Sequence, residues 1–233
     1  MPYTSAEILV TKLGAVRRLL QAAIRFHFHR EDELAIHTVA AAAYGILKDL
    51  KNQRGLNEAQ FAMENEMRGW LAFAKERVLG QLPESILSDN YSLKFLDSLI
   101  QTLQIAPDTD ISQIDVSVAM NNASTANYWR SNNRASNFLK HADQDSDVAL
   151  SLNDVDNYQL LLRAVHSYES ITPSGLGFEG YVLQAYFLAE QDSELDPAHP
   201  LSAPVSRLRE MNTEERIEYS AYQLDRPRPD SVF

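Results

Sequence analysis

Apolar residues recur every three or four positions along most of the chain, a spacing that gathers them on one face of an α-helix. The clearest run joins Leu9, Leu13, Val16, Leu20 and Ile24. Alternation of apolar and polar residues, the pattern of a half-buried β-strand, never lasts more than five residues. The hydrophobic pattern therefore predicts an all-α protein, a helical bundle of about seven helices in a single domain.

Capping residues and helix breakers divide this pattern into segments. Thr4 and Glu7 have the spacing of a capping box at a helix start. Gly55 and Gly80 suit the left-handed conformation that often ends a helix. The predicted helices run from Thr4 to about His27, from Arg30 to Gly55, from Asn57 to Gly80, from Asp89 to Pro107, and over about 131–142, 154–170 and 178–190.

The predicted domain organisation follows from where the periodicity weakens. Residues 105–128 are rich in Asp, Ser and Asn and predict a loop with a short helix around 112–120. This loop could divide two helical halves, but we interpret residues 1–195 as one helical bundle domain. Residues 196–233 are then a Pro-containing C-terminal extension with one short helix at 213–224, and we expect its end to be mobile.

Composition narrows the range of functions. The 233 residues are 45% hydrophobic, enough for a sizeable core, and 21 basic against 32 acidic residues leave a formal charge of −11. Such a surface repels nucleic acid and anionic membranes at long range, although a local basic patch could still bind phosphate. Without cysteine, the chain has no disulfide, no thiolate metal site and no cysteine nucleophile. We expect a cytoplasmic protein with no signal peptide, no membrane association and no cofactor.

Three polar side chains in the predicted fifth helix share one face. Arg134, Asn137 and His141 are spaced i, i+3 and i+7, so a helix stacks them on the same side. Arginine can hold a phosphate by two parallel hydrogen bonds, and histidine can carry a proton near neutral pH. These are the groups that metal-free cleavage of a phosphodiester requires. The simpler interpretation is an ordinary helix, in which Lys140 and His141 favour the negative end of the dipole.

The Arg134-x6-His141 spacing resembles the motif of the HEPN superfamily (higher eukaryote and prokaryote nucleotide-binding). In that family an arginine and a histidine separated by four to six residues mark ribonuclease sites, which usually assemble across a homodimer. The resemblance implies a metal-independent ribonuclease or nucleotide-binding protein, with RNA and a second copy of the chain as partners. The stretch NFLKHADQDSD at 137–147 is also similar to uncharacterised bacterial helical proteins, a likeness that implies no activity.

An acidic segment follows this helix. Counted from Asp143, oxygen ligands fall at loop positions suited to an EF-hand calcium site; the candidate metal ligands are Asp143, Asp145, Asp147 and Asp154. Val148 occupies the position where an EF-hand needs glycine, and aspartate replaces the usual final glutamate. The alternative is a polar turn in which Asn153 or Asp154 caps the next helix.

Two further patterns concern metal and phosphate binding. If one helix continues through residues 26–37, His29, Glu33 and His37 line one face with the spacing of metal ligands. A buried, hydrogen-bonded histidine is the simpler interpretation of His37. The glycine loop at 174–177 precedes a helix start, where a phosphate could dock, although a tight turn explains it equally well.

The sequence leaves three functional hypotheses open. The first is a binding or interaction module for an unknown protein partner or a nucleotide, with a polar face at Arg134, Asn137 and His141. The second is a HEPN-like ribonuclease that uses the same face. The third is a cation-binding helical protein that uses the aspartate segment.

Overall fold

The computed structural model describes residues 9–82, 84–87, 90–120, 133–140, 149–191 and 195–227. Throughout these ranges the regular structure is helical, which confirms the predicted all-α class. In the part of the chain that the structure describes, no helix combines the length and apolar character needed to cross a lipid bilayer.

The helices are numbered in chain order. They are α1 (Lys12–Phe28), α2 (Glu33–Gln53), α3 (Glu58–Leu79), α4 (Glu84–Leu87), α5 (Asn90–Leu103), α6 (Val116–Met120), α7 (Arg134–Lys140), α8 (Asn157–Glu169), α9 (Phe178–Glu190), α10 (Ser202–Arg209) and α11 (Thr213–Asp225), with 3-10 turns at Ile111–Gln113 and Leu152–Asp154. This is more than the seven or so predicted for the bundle. The helices α6 and α11 correspond to the short helices predicted around 112–120 and at 213–224, whereas α4 and α10 are too short to show a clear apolar period.

The start of α1 corrects one prediction. The helix begins at Lys12, and the Thr11 side chain caps it by accepting a 3.0 Å hydrogen bond from the backbone N–H of Gly14. The predicted start at Thr4 is wrong, since residues 9–11 are not helical. Leu9 is accordingly 85% exposed and does not extend the buried face of α1.

The chain divides into two compact units, which differ from the predicted domains. Unit 1 comprises residues 1–56 and 142–233, and unit 2 comprises residues 57–141. The physical reason is that the apolar faces collect in separate clusters, each within one unit. The C-terminal helices α10 and α11 belong to unit 1, where Val205 and Leu224 are buried, and do not form an appended extension.

Unit 1 is built on α1. This helix packs against α2, α8, α9 and α11, while α9 also packs against α10 and α11. The largest completely buried side chains of its main cluster are Leu20, Ile24, Phe28, Ile36, Leu47, Leu161, Leu176 and Leu183. A smaller cluster joins α9 to α10 through Ala185, Ala189, Leu201, Val205 and Leu208.

Unit 2 centres on α3, which packs against α5 and α6. Its buried cluster consists of Met67, Leu71, Ala74, Leu82, Phe95, Leu96, Leu99, Ile105 and Val116. The polar loop after α5 is held by Lys75, whose ammonium donates hydrogen bonds to the backbone carbonyls of Ala106, Pro107 and Thr109. This lysine is therefore engaged in fixing a loop inside unit 2.

Candidate functional site

The predicted Arg/Asn/His face lies only partly within the described residues. Arg134 and Asn137 are both exposed on α7, one turn apart, whereas Ala135 between them is buried. The helix ends at Lys140, and His141 lies outside the described residues. The ribonuclease hypothesis and its homodimer therefore stay predictions.

Most of the aspartate segment also lies outside the described residues. Asp143, Asp145 and Asp147 lie outside the described residues, and Asp154 lies in a 3-10 turn where its side chain is not described. The residue that caps α8 is Asp156, whose carboxylate accepts a 3.0 Å hydrogen bond from the N–H of Gln159. The sequence prediction of a cap at 153 or 154 is therefore wrong. Within the described ranges, no three His, Asp or Glu side chains are grouped to hold a metal ion.

The histidines at 29 and 37 do not share a helix face. The chain turns between α1 and α2, where Arg30 adopts a left-handed backbone with φ +54° and Asp32 caps α2. His29 accordingly points to Asp225, with 3.2 Å between Nε2 and Oδ1, whereas His37 is buried. The predicted line of metal ligands is wrong, because it required one continuous helix.

His37 belongs to a buried polar network that joins α2 to α8. Its Nδ1 lies 3.1 Å from Oδ1 of Asn157. The amide nitrogen of Asn157 donates to the backbone carbonyl of Glu33 at 2.8 Å and to its carboxylate at 2.5 Å. These two bonds orient the amide nitrogen towards Glu33, so the amide oxygen of Asn157 faces His37. An amide oxygen can only accept, and His37 Nδ1 is therefore the donor. The interpretation of His37 as a buried, hydrogen-bonded residue is confirmed.

Aromatic rings surround the neighbouring His27. Its imidazole stacks on Tyr158 at 5.8 Å between centroids, and Tyr158 packs edge-on against Tyr186. Burial lowers the pKa of His27, although the charges of Glu33 and Asp156 oppose this shift. Burial, aided by the charge of Glu190, raises the pKa of Tyr158 and raises that of Tyr186 to about 12. The cluster is thus held in its neutral forms near pH 7.

This environment predicts how the protein responds to acid. In the folded protein, His27 takes up its proton at a pH below 6.5, its ordinary pKa, whereas in the unfolded chain it does so near pH 6.5. Just below pH 6.5 the unfolded state therefore binds more protons than the folded state. The stability that neutral His27 contributes is lost as the pH falls below about 6.5. In thermal melts from about pH 8 to about pH 5, we expect His27→Phe to lose less stability than the wild type. Parallel pH profiles of the two proteins would contradict this assignment.

A buried carboxylate joins α1 to the first turn of α9. Glu179 is 2% exposed; its Oε1 accepts hydrogen bonds from Arg25 Nε at 3.2 Å and Nη2 at 3.0 Å, and its Oε2 accepts one from Gln21 at 3.1 Å. The positive end of the α9 dipole also favours this carboxylate. The preceding glycine loop supplies the helix start, where Gly177 has φ +91°. The carboxylate of Glu179 therefore lies in the first turn of α9, where it disfavours the phosphate site proposed at this helix start.

A buried lysine of α2, Lys51, contacts the C-terminal end of α8. Lys51 Nζ donates a 2.8 Å hydrogen bond to Ser170 Oγ, and the Ser170 hydroxyl donates to the carbonyl of Ser167. A serine nucleophile would instead need to give its proton to the lysine. The arrangement therefore stabilises a helix end, which favours positive charge, and does not activate the serine.

An open groove on unit 1 is the candidate functional site. It lies along α10, the turn after it and α11, and has a volume of about 600 Å³. Its lining consists of Arg207, Glu210, Met211, Glu215, Glu218, Tyr219 and Tyr222. The groove therefore offers aromatic rings, a methionine and carboxylates to a binding partner.

Cationic groups already lie over both tyrosine rings of the groove. Arg207 is 4.6 Å from the ring centroid of Tyr219, and Arg226 is 6.0 Å from that of Tyr222. Tyr222 nevertheless remains 61% exposed. The helix predicted at 213–224 carries both tyrosines, but its apolar pattern does not predict this surface. The two tyrosines, three positions apart beside glutamates, are the signal that could have revealed it.

Comparisons with known proteins add no relative to this description: no family model, no curated protein and no solved structure matches the chain.

Proposed function

We propose that this protein is a binding module that recognises a partner protein through the groove between α10 and α11. The observation that carries the proposal is the 61% exposure of Tyr222, a tyrosine in the lining of this open groove. Tyrosine offers a large contact area and little conformational entropy to lose, which is why it is enriched in the centres of protein interfaces.

The framework of the groove is held in place before any partner arrives. Asn212 and Glu215 form a capping box at the start of α11. Arg216 donates to the carbonyl of Leu208 at 2.8 Å, which ties α11 to the end of α10. Arg209 donates to the carbonyls of Leu188 and Gln191, which ties α10 to the end of α9. A preorganised surface loses less entropy on binding.

Other polar clusters of unit 1 support binding over catalysis. The carboxylate of Glu179 is satisfied by α1, His37 is bonded to Asn157, and Lys51 is bonded to Ser170. Each of these contacts joins two helices of the unit. The groove differs from them in presenting its side chains to solvent.

The test is a selection of peptides from a random display library against the wild-type protein. We expect selected peptides to bind at least about tenfold more weakly to Tyr222→Ala, as truncation of an interface hot spot does. Leu152→Ala, which shortens another exposed apolar side chain of unit 1, is the matched control and should leave binding unchanged. A selection that yields no Tyr222-dependent peptide would overturn the proposed function.

A further inference from the structure

We propose that the partner segment bound in this groove is basic: a peptide with arginine or lysine side chains that places a cation on Tyr222 among the glutamates. The inference rests on the proposed function and specifies the chemistry of its partner. It is carried by the two guanidinium–ring contacts and by the charges that line the groove.

The first argument is that the groove rings already accept cations. Arg207 lies over Tyr219 within the range of a cation–π interaction, and Arg226 lies over Tyr222 at the outer end of that range. Arg226 is an exposed residue at the C-terminal end of α11. Because Tyr222 is 61% exposed, a partner's guanidinium or ammonium can reach it without unpacking the helix.

The second argument is charge complementarity. The lining contains three carboxylates, from Glu210, Glu215 and Glu218, against the single guanidinium of Arg207. Arg207 lies over Tyr219, so its charge is already directed at a ring. Arg226 adds a second guanidinium over Tyr222, so these groups together leave an excess of one negative charge around a cation placed on that ring. The chain as a whole, at −11, also attracts basic partners and repels acidic ones.

Because bulk charge alone draws basic peptides to an acidic protein, the test needs variants matched in charge. The probe is a short fluorescein-labelled peptide of alternating glycine and arginine, compared with one of alternating glycine and glutamine. Glu210→Gln combined with Glu218→Gln removes two charges from the groove. Glu31→Gln combined with Asp49→Asn removes two charges from exposed positions of unit 1 outside its lining.

We expect the arginine peptide to bind the wild type and the glutamine peptide to bind far more weakly. The groove double variant should lose about fivefold in affinity relative to the control double variant, a size typical of two exposed charge pairs. Tyr222→Leu should lose about two- to fivefold and Tyr222→Phe should retain binding, because phenylalanine keeps the ring face.

Four results would overturn the inference. Equal losses in the two double variants would show attraction by net charge alone, and binding unaffected by Tyr222→Leu would place the peptide elsewhere. Tyr222-dependent display peptides that lack basic residues would refute the basic partner while leaving the proposed function intact. If Tyr222→Leu instead abolishes self-association in sedimentation experiments, the occupant is a second copy of this chain.

Discussion

Leu183→Ala is expected to lower the free energy of unfolding of unit 1 by about 3 kcal/mol. Leu183 is completely buried in α9 and belongs to the main cluster of unit 1. Truncation removes its transfer free energy and leaves a cavity, because helices on several sides hold the surrounding side chains in place. The measurement is urea denaturation of the wild type and the variant.

The spectroscopic probe decides what this experiment reports. Both tryptophans, Trp70 and Trp129, occur within residues 57–141, so tryptophan fluorescence reports on unit 2. Far-UV circular dichroism follows the helices of unit 1 as well and is the required signal. Leu152→Ala is the control, because its side chain is 52% exposed and its loss should cost under about 0.5 kcal/mol. Equal effects of the two substitutions would contradict the described packing of α9.

Asn157→Leu is expected to lower the free energy of unfolding by about 2 kcal/mol, although leucine has the branched shape of asparagine and the same number of side-chain heavy atoms. The substitution leaves Nδ1 of the buried His37 without its acceptor. It also removes the amide donor to the carboxylate of Glu33, which is exposed and can bond to water instead. An unsatisfied buried polar group costs about 1–3 kcal/mol, which makes this change far larger than the loss of an exposed amide.

The matched control lies two residues along the same helix. Gln159→Leu also replaces an amide with leucine, but at an exposed position of α8, and should change stability by less than about 0.5 kcal/mol. Asn157→Asp keeps the acceptor for His37 and turns an oxygen towards the carboxylate of Glu33. We expect it to destabilise the protein as well, and the same urea titrations test all three variants. A neutral Asn157→Leu would show that the network contributes nothing to stability.

Local sequence signals predicted the helices well where a single signal was present. The predicted span 178–190 matches the observed α9. The prediction succeeded because a glycine loop marks the start of this helix and its apolar residues are closely spaced. The start of α1 was missed because two threonine caps compete, at Thr4 and Thr11, and the sequence does not show which one the packing uses. The division into units was missed for a related reason, since helices of either unit have the same apolar period.

The candidate site was harder to predict because it depends on contacts between distant residues. The burial of His37 could be expected from its alanine-rich helix, but its partner Asn157 lies 120 residues away in sequence. Tyr222 follows the helical period of α11, and only the packing of that helix shows that this ring faces solvent. Spacing therefore identifies which residues share a face, whereas tertiary packing decides which face is exposed.

The split of unit 1 has a consequence for how the chain is made. Its first two helices leave the ribosome before the 85 residues from 57 to 141, and their partners α8 and α9 follow only after that insertion. At about 5–20 residues per second, this separates the two halves by roughly 4–17 seconds. Unit 2 is contiguous and can be completed during that interval. Unit 1, which carries the groove, therefore begins before unit 2 during translation and is completed after it.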